Sequence, residues 1–218
     1  RIVIATTAVL LVGGAAAIAI LEWDDPATLG AMAPGDRLLN AAFLSTSLRT
    51  AGFTALDIGA LAAPTLFLSM ALMFIGGASG STAGGIKVNT FSLLLATIIS
   101  TARGLPDTVV FGRRVAAELV SRALAVALLS VAVVAVTGFV LAATSDATFD
   151  ALLFEAVSAL ATVGLSTGIT PGLDAAGQVV LIVAMFMGRL GPLTLVLAFA
   201  ARQRTSPFRP ALETVRIG

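Results

Sequence analysis

Long apolar runs separated by short polar turns set the plan of this 218-residue chain. Residues 2–21 form the first apolar run, interrupted only by Thr6 and Thr7 and the glycines at 13 and 14, long enough at ~1.5 Å per residue to cross a hydrocarbon core of ~30 Å. Gly13 and Gly14 in its middle allow close helix approach. Glu22, Asp24, Asp25 and Pro26 end the run, with Trp23 at the predicted interface. After a polar connection at 27–36, residues 37–48 predict a helix too short to cross, which suggests a re-entrant segment. It leads into Arg49, Thr50, Ala51, Gly52 and Phe53, and a polar return to Gly59. Residues 61–75 and 86–101 are apolar and flank a break. Residues 103–122 are charged, and 119–143 predict another full span. An acidic turn at 146–150 precedes a second short helix, 149–161, which runs into Thr162, Val163, Gly164 and Leu165. A last span is predicted at 175–200, with Arg189 inside it between two glycines, followed by a basic tail from Arg202.

The break is the exceptional stretch. Residues 76–85 are Gly, Ala, Ser and Thr only, and Lys87 follows at once. Read together, 61–101 is far longer than one crossing needs, so it predicts one crossing in two or three pieces with the break at membrane depth. Bare backbone inside a bilayer is tolerated only where protein buries it or it lines water. A broken helix of this kind points to an ion or solute pathway.

Composition agrees. Hydrophobic residues make up 58% and charged residues 11%, with a mean hydropathy of +1.03, against about 25% charged in soluble domains. The chain reads as an all-α integral membrane protein whose partner is the lipid bilayer. A net charge of +1 suggests no nucleic acid, and the absence of Cys and His removes thiol chemistry, disulfides and the usual zinc sites. There is no phosphate-cradling loop and no acid–base pair, so neither enzyme activity nor an organic cofactor is assigned. Residue 1 is Arg rather than Met, and no leader precedes the first run, so the chain is expected to be a C-terminal fragment.

Charge also orients it. With the N-terminus inside, the inner segments carry Arg1, Arg103, Arg113, Arg114, Arg122, Arg202, Arg204, Arg209 and Arg216 against Asp107, Glu118 and Glu213. The outer segments carry Glu22, Asp24, Asp25, Asp36, Asp57, Asp146, Asp150, Glu155 and Asp174 against Arg37 and Arg49. This positive-inside bias puts both termini in the cytoplasm. An acidic outer face raises cation concentration at an entrance.

A shift of 112 residues reveals a duplication. Thr50-Ala51-Gly52-Phe53 falls on Thr162-Val163-Gly164-Leu165, and Met73-Phe74-Ile75-Gly76 falls on Met185-Phe186-Met187-Gly188. The unit is span, short helix, Thr-x-Gly turn, span. A short helix entering from outside aims its carbonyl end, about half a negative charge, at the membrane centre, where it favours a cation. Glycine lets the returning strand turn successive carbonyls toward one axis, and such carbonyls replace an ion's water. The competing reading makes both turns ordinary helix C-caps.

The stretches RTAGF, GGASGSTAGGIK, SALATVGLSTGITP and MFMGRLGPLT resemble the Trk/Ktr/HKT superfamily of potassium transporters, and most of all the C-terminal half of KtrB-type membrane subunits. The resemblance implies four membrane–pore-loop–membrane repeats around one pore. This chain would supply two of them, with four spans and two re-entrant pore helices, at 1–101 and 123–201. A cytoplasmic linker at 102–122 and a tail at 202–218 complete it. Thr50, Ala51, Gly52, Phe53, Thr162, Val163, Gly164 and Leu165 would then bind K+ as filter strands. The two glycines favour potassium, with sodium a second candidate; the first-repeat position that distinguishes sodium-admitting relatives is absent. The resemblance further implies a gate loop with Gly76, Gly77, Ser79, Gly80, Ser81, Thr82, Gly84 and Gly85, flanked by Lys87 and partnered by Arg189. It implies a homodimer and a cytosolic nucleotide-binding ring of KtrA or TrkA type, which would bind the nucleotide.

Single residues admit other roles. Arg189 and Lys87 could snorkel to the cytoplasmic surface. Arg49 is expected to brace its short helix, and Glu155 to be a structural partner. Asp57 could attract cations or be plain solvated charge. One alternative function is a non-conducting or regulatory half-subunit needing another chain. Another is a solute transporter, which should carry an extra intramembrane acid for coupling, and the sequence offers none.

Overall fold

The computed structural model describes residues 2–105, 107–110 and 112–191. Arg1, residues 192–200 of the last predicted span and the tail at 202–218 lie outside these. The described helices are α1 (Ile2–Glu22), α2 (Pro34–Ser47), α3 (Ala63–Phe74), α4 (Val88–Ala102), α5 (Ala117–Thr144), α6 (Phe149–Ala161) and α7 (Ala175–Leu190). Strands β1 (Val109–Val110) and β2 (Arg113–Arg114) form a small antiparallel hairpin.

Among the described residues, α1 and α5, with 21 and 28 residues, are long and apolar enough to cross a membrane. Among the described residues, the other two expected spans hold shorter helices. The glycine-rich break divides one into α3 and α4, of 12 and 15 residues. In the other, α7 closes at Gly191 (φ 81°) after 16 residues. The hairpin within the charged linker is not anticipated by sequence, since two-residue strands carry no alternation to read. Gly112 supplies its turn (φ 74°), and Asp107 Oδ1 meets Arg114 Nε at 2.9 Å at the surface.

The helices begin where local chemistry allows. Proline occupies the first turn of α2 and of α3, where its missing N–H costs no helical bond. Asp174 caps α7 by accepting from Gly177 N at 2.7 Å. Helix α1 is apolar all round yet buries only Gly14, Ile18, Ala19 and Glu22, as a helix facing lipid or further protein does. A Cβ on Gly14 would lie 2.6 Å from Ser45 Oγ and 2.8 Å from a Leu72 methyl, so this glycine lets α2 and α3 close on α1; Gly13 has open space.

Helix α6 is the centre of the core. It packs against α3, α5 and α7, and every residue from 154 to 161 is buried. Phe154, Leu160, Met73 and Leu141 fill the space around it. Helix α2, its repeat counterpart, leans on α1 and the 3₁₀ turn Leu29–Ala31. Its other face leaves Leu38, Leu39 and Phe43 exposed.

Candidate functional site

Helices α2 and α6 both end in a turn that requires an unfavourable backbone. Thr50 (φ 73°) and Thr162 (φ 52°) are the two non-glycine residues with positive φ among the described residues. A β-branched residue there is strained and is held only by its surroundings. Each turn is pinned back to its own helix. Ser47 Oγ donates to the Phe53 carbonyl, and Ser158 Oγ donates to the Leu165 carbonyl at 2.6 Å. Gly52 and Gly164 also have positive φ.

The fold brings the two turns together. A Cβ on Gly52 would strike the Val163 carbonyl, so a side chain at Gly52 is excluded by the neighbouring turn. Their surroundings differ. Val163 and Leu165 are buried, whereas their counterparts Ala51 and Phe53 are exposed, because α6 is enclosed by three helices and α2 is not. Thr162 Oγ1 is buried without a hydrogen-bond partner among the described residues.

The second turn has a brace that the first lacks. Glu155, 5% exposed, accepts from Ser166 Oγ, from Thr167 N at 3.1 Å and from Thr170 Oγ1 at 3.0 Å. At the equivalent place in the first copy stands the exposed Phe43. The structural role expected for Glu155 is therefore specific: it holds the strand returning from Gly164. Glu22, counted in sequence only among the outer acidic residues, is fully buried. Glu22 accepts from Thr28 Oγ1 at 2.6 Å and from Ala62 N at 3.0 Å, tying α1 to the start of α3. Asp57 accepts from Gly59 N at 2.9 Å as a turn cap. The sequence reading found no acid placed for coupling. Glu155 does line a cavity of ≈ 400 Å³, with Thr162, Gly164, Met185 and Arg189 also in its wall, but its oxygens are engaged by three donors.

The glycine-rich loop lies against these turns. Its neck is closed by backbone bonds from Gly76 N to Ile86 O at 2.9 Å and from Ile86 N to Phe74 O at 3.0 Å. Gly76, Gly84 and Gly85 are buried at its base, and residues 79–82 are exposed at its tip. A Cβ on Gly84 would overlap the Ala161 carbonyl and Thr162 Oγ1, so the loop seats directly on the second turn. Gly77 faces Ala83 and Ser81 across the loop. Lys87 Nζ donates to the carbonyls of Ser81, at 3.2 Å, and Ala83, and Arg189 Nη1 donates to that of Thr82. Two cations thus hold three successive carbonyls of the tip. Arg49 does not brace its own helix as expected. Its Nη2 donates to the Gly76 carbonyl at 3.0 Å and its Nη1 to the Thr7 carbonyl at 3.4 Å. The sequence signal for this was a cation beside the first Thr-x-Gly turn; its target could not be read.

Known proteins share this sequence and architecture. A family model described as TrkH, cation transport protein, matches residues 2–206. The Ktr system potassium uptake protein B of Bacillus subtilis is 42% identical over 187 residues, 86% of this chain and 42% of that protein. Its namesake from Vibrio alginolyticus is 38% identical over 94% of this chain and 45% of its own length. The potassium/sodium uptake protein NtpJ of Enterococcus hirae is 34% identical over 100% of this chain and 49% of its length. The chain thus spans a little under half the length of these relatives, which are named as transporters rather than enzymes. The crystal structure of the potassium transporter TrkH from Vibrio parahaemolyticus has the same fold, with a TM-score of 0.72 at 23% identity, covering 88% of this chain and 43% of that one.

Proposed function

The chain belongs to the TrkH family of cation transport proteins, and from that premise we propose that it forms half of a potassium uptake pathway across the cytoplasmic membrane. Residues 1–101 and 123–201 each supply a membrane–pore-loop–membrane unit, with α2 and α6 as re-entrant pore helices and both ends of the chain in the cytoplasm. The observation that carries this reading is the pair of Thr-x-Gly turns, both with a left-handed threonine, held against each other at the ends of two short helices. Backbone carbonyls of Thr50–Gly52 and Thr162–Gly164 replace water around a dehydrated K+, those of Phe53 and Leu165 being held by Ser47 and Ser158, and the unpartnered Thr162 Oγ1 is a further oxygen at the inner end. Na+ is the second candidate ion, in keeping with the name of one relative.

The loop at 76–85 is the gate beneath the filter. Its carbonyls face Lys87 and Arg189, which mask those cations from the permeating ion while the loop is closed. The bare face of α2 supports an incomplete pore. Helix α3 covers α6, and nothing among the described residues covers α2 in the same way. Two further repeats would pack there, from the same polypeptide or from another chain; in the latter case this chain is a half-subunit that conducts only when completed. A second copy and a cytosolic nucleotide-binding ring of KtrA or TrkA type are the proposed partners, with the basic linker 102–122 and the tail as docking surfaces.

The test is potassium uptake by the full-length parent in cells lacking their own uptake systems. Gly164 has space for a side chain but a φ of 93°, so Gly164→Ser should redirect the local carbonyls and weaken the preference for K+ over Na+. Unchanged uptake and selectivity would remove the filter assignment.

A further inference from the structure

The glycine-rich loop is gripped at its entry and its exit by the same position of the two repeats, the residue just before each turn threonine. In the first copy this is Arg49, whose Nη2 donates to the Gly76 carbonyl at 3.0 Å while Nη1 reaches Thr7 in α1 at 3.4 Å. In the second copy it is Ala161, the residue 112 positions on. Its carbonyl fills the place of a Gly84 side chain, and its Cβ would lie 3.4 Å from one on Gly85. Entry and exit are then locked to each other by the Gly76–Ile86 and Ile86–Phe74 backbone bonds. The neck is therefore tied as one piece between the two turns, while the tip is held separately by Lys87 and Arg189.

The grip on the first copy is directional. A guanidinium offers planar donors at fixed angles, which an ammonium does not. Here one guanidinium bridges two elements, α1 and the loop neck. Its backbone continues into Thr50, which is held in a strained left-handed conformation. A rearrangement of Thr50 that redirects its carbonyl also swings Arg49 and alters its hold on Gly76. We propose that Arg49 is a positioning residue that couples the filter to the gate, setting the height of the loop neck from the first turn while Ala161 sets it from the second. This rests on the reading of the turns as filter and of the loop as gate. Coupling of this kind is reciprocal, so a change in the neck must change ion affinity at the turns.

The experiment uses the full-length parent, with the amount in the membrane measured for every variant and K+ uptake followed over a range of concentrations. Arg49→Gln should shift the KM for K+ by about tenfold or more, the scale of one charge-assisted hydrogen bond, and raise flux in the resting state. Arg49→Lys, which keeps the charge and one donor, should fall between wild type and Gln. Gly84→Ala, which disturbs the other grip, should shift KM as well and carries the test if Arg49→Gln fails to accumulate. In a background lacking the loop itself, residues 76–85, Arg49→Gln should have no additional effect, because the carbonyl it holds is gone. An unchanged KM with uptake falling in proportion to protein amount, or an equal KM shift with and without the loop, would overturn the coupling. Failure of the filter reading shows separately, as Gly164→Ser with unaltered selectivity.

Discussion

Glu155 is the residue whose replacement most directly probes how the second turn is held. Its carboxylate takes three donors from residues 166–170, the segment that follows Gly164 and Leu165. Truncation by Glu155→Ala strands them unequally. Ser166 Oγ and Thr170 Oγ1 already lie 3.0 Å apart and can satisfy each other. Thr167 N has no such substitute, and leaving this part-buried donor unpaired costs about 1 kcal/mol. Adding the one hydroxyl bond lost net, at about 0.5–1.5 kcal/mol, gives a total on the order of 2 kcal/mol. Glu155→Gln keeps an acceptor for Thr167 N, and its amide N–H can donate to the Thr170 hydroxyl after that hydroxyl turns, so its cost should be about 1 kcal/mol. Thermal unfolding of the purified full-length protein should rank wild type above Gln and Gln well above Ala. Competition between K+ and Na+ for uptake should lose selectivity in the same order, since the displaced segment pulls on Gly164 and Leu165 just before it. Equal effects of Ala and Gln, or an Ala variant matching wild type in both assays, would refute the brace.

Two further outcomes follow from close contacts. Gly188→Ala places a Cβ on the Leu160 carbonyl of the enclosed helix α6, so it should sharply reduce folded protein in the membrane; accumulation at wild-type level would contradict the observed crossing of α6 and α7. Arg189→Gln removes the hold on the Thr82 carbonyl and should raise resting K+ flux at equal protein amount, measured as uptake without stimulation; an unaltered resting flux would remove this arginine from the gate.

Much of the architecture was legible because hydrophobic periodicity and glycine clustering are local properties. The second short helix was expected at 149–161, and the structure has it at Phe149–Ala161. The first begins at Pro34, earlier than the Arg37 expected, because a proline in the first turn reads as a breaker in sequence yet is compatible with a helix start. The break at 76–85 was evident from composition, and it separates α3 from α4. The repeat was visible as matched residues 112 apart, and the matched threonines share their unusual conformation.

What sequence could not supply were the partners of its polar groups. The partners of Glu22 and Glu155 could not be read because burial depends on which helices surround a position, and that is decided by packing between distant segments. Arg49 was legible as a cation beside a turn, but whether its donors met its own helix, Gly76 or Thr7 depended on three elements closing to within hydrogen-bonding distance. The asymmetry between the copies has the same origin. Local pattern makes α2 and α6 near equivalents, and only the tertiary arrangement encloses one and leaves the other open. Sequence alone determined the apolar segments, the two Thr-x-Gly turns and the glycine-rich interruption. The fold decided that those turns touch each other and that the loop hangs between them, because contacts across a hundred residues are set by the packing of whole helices and leave no trace in local composition.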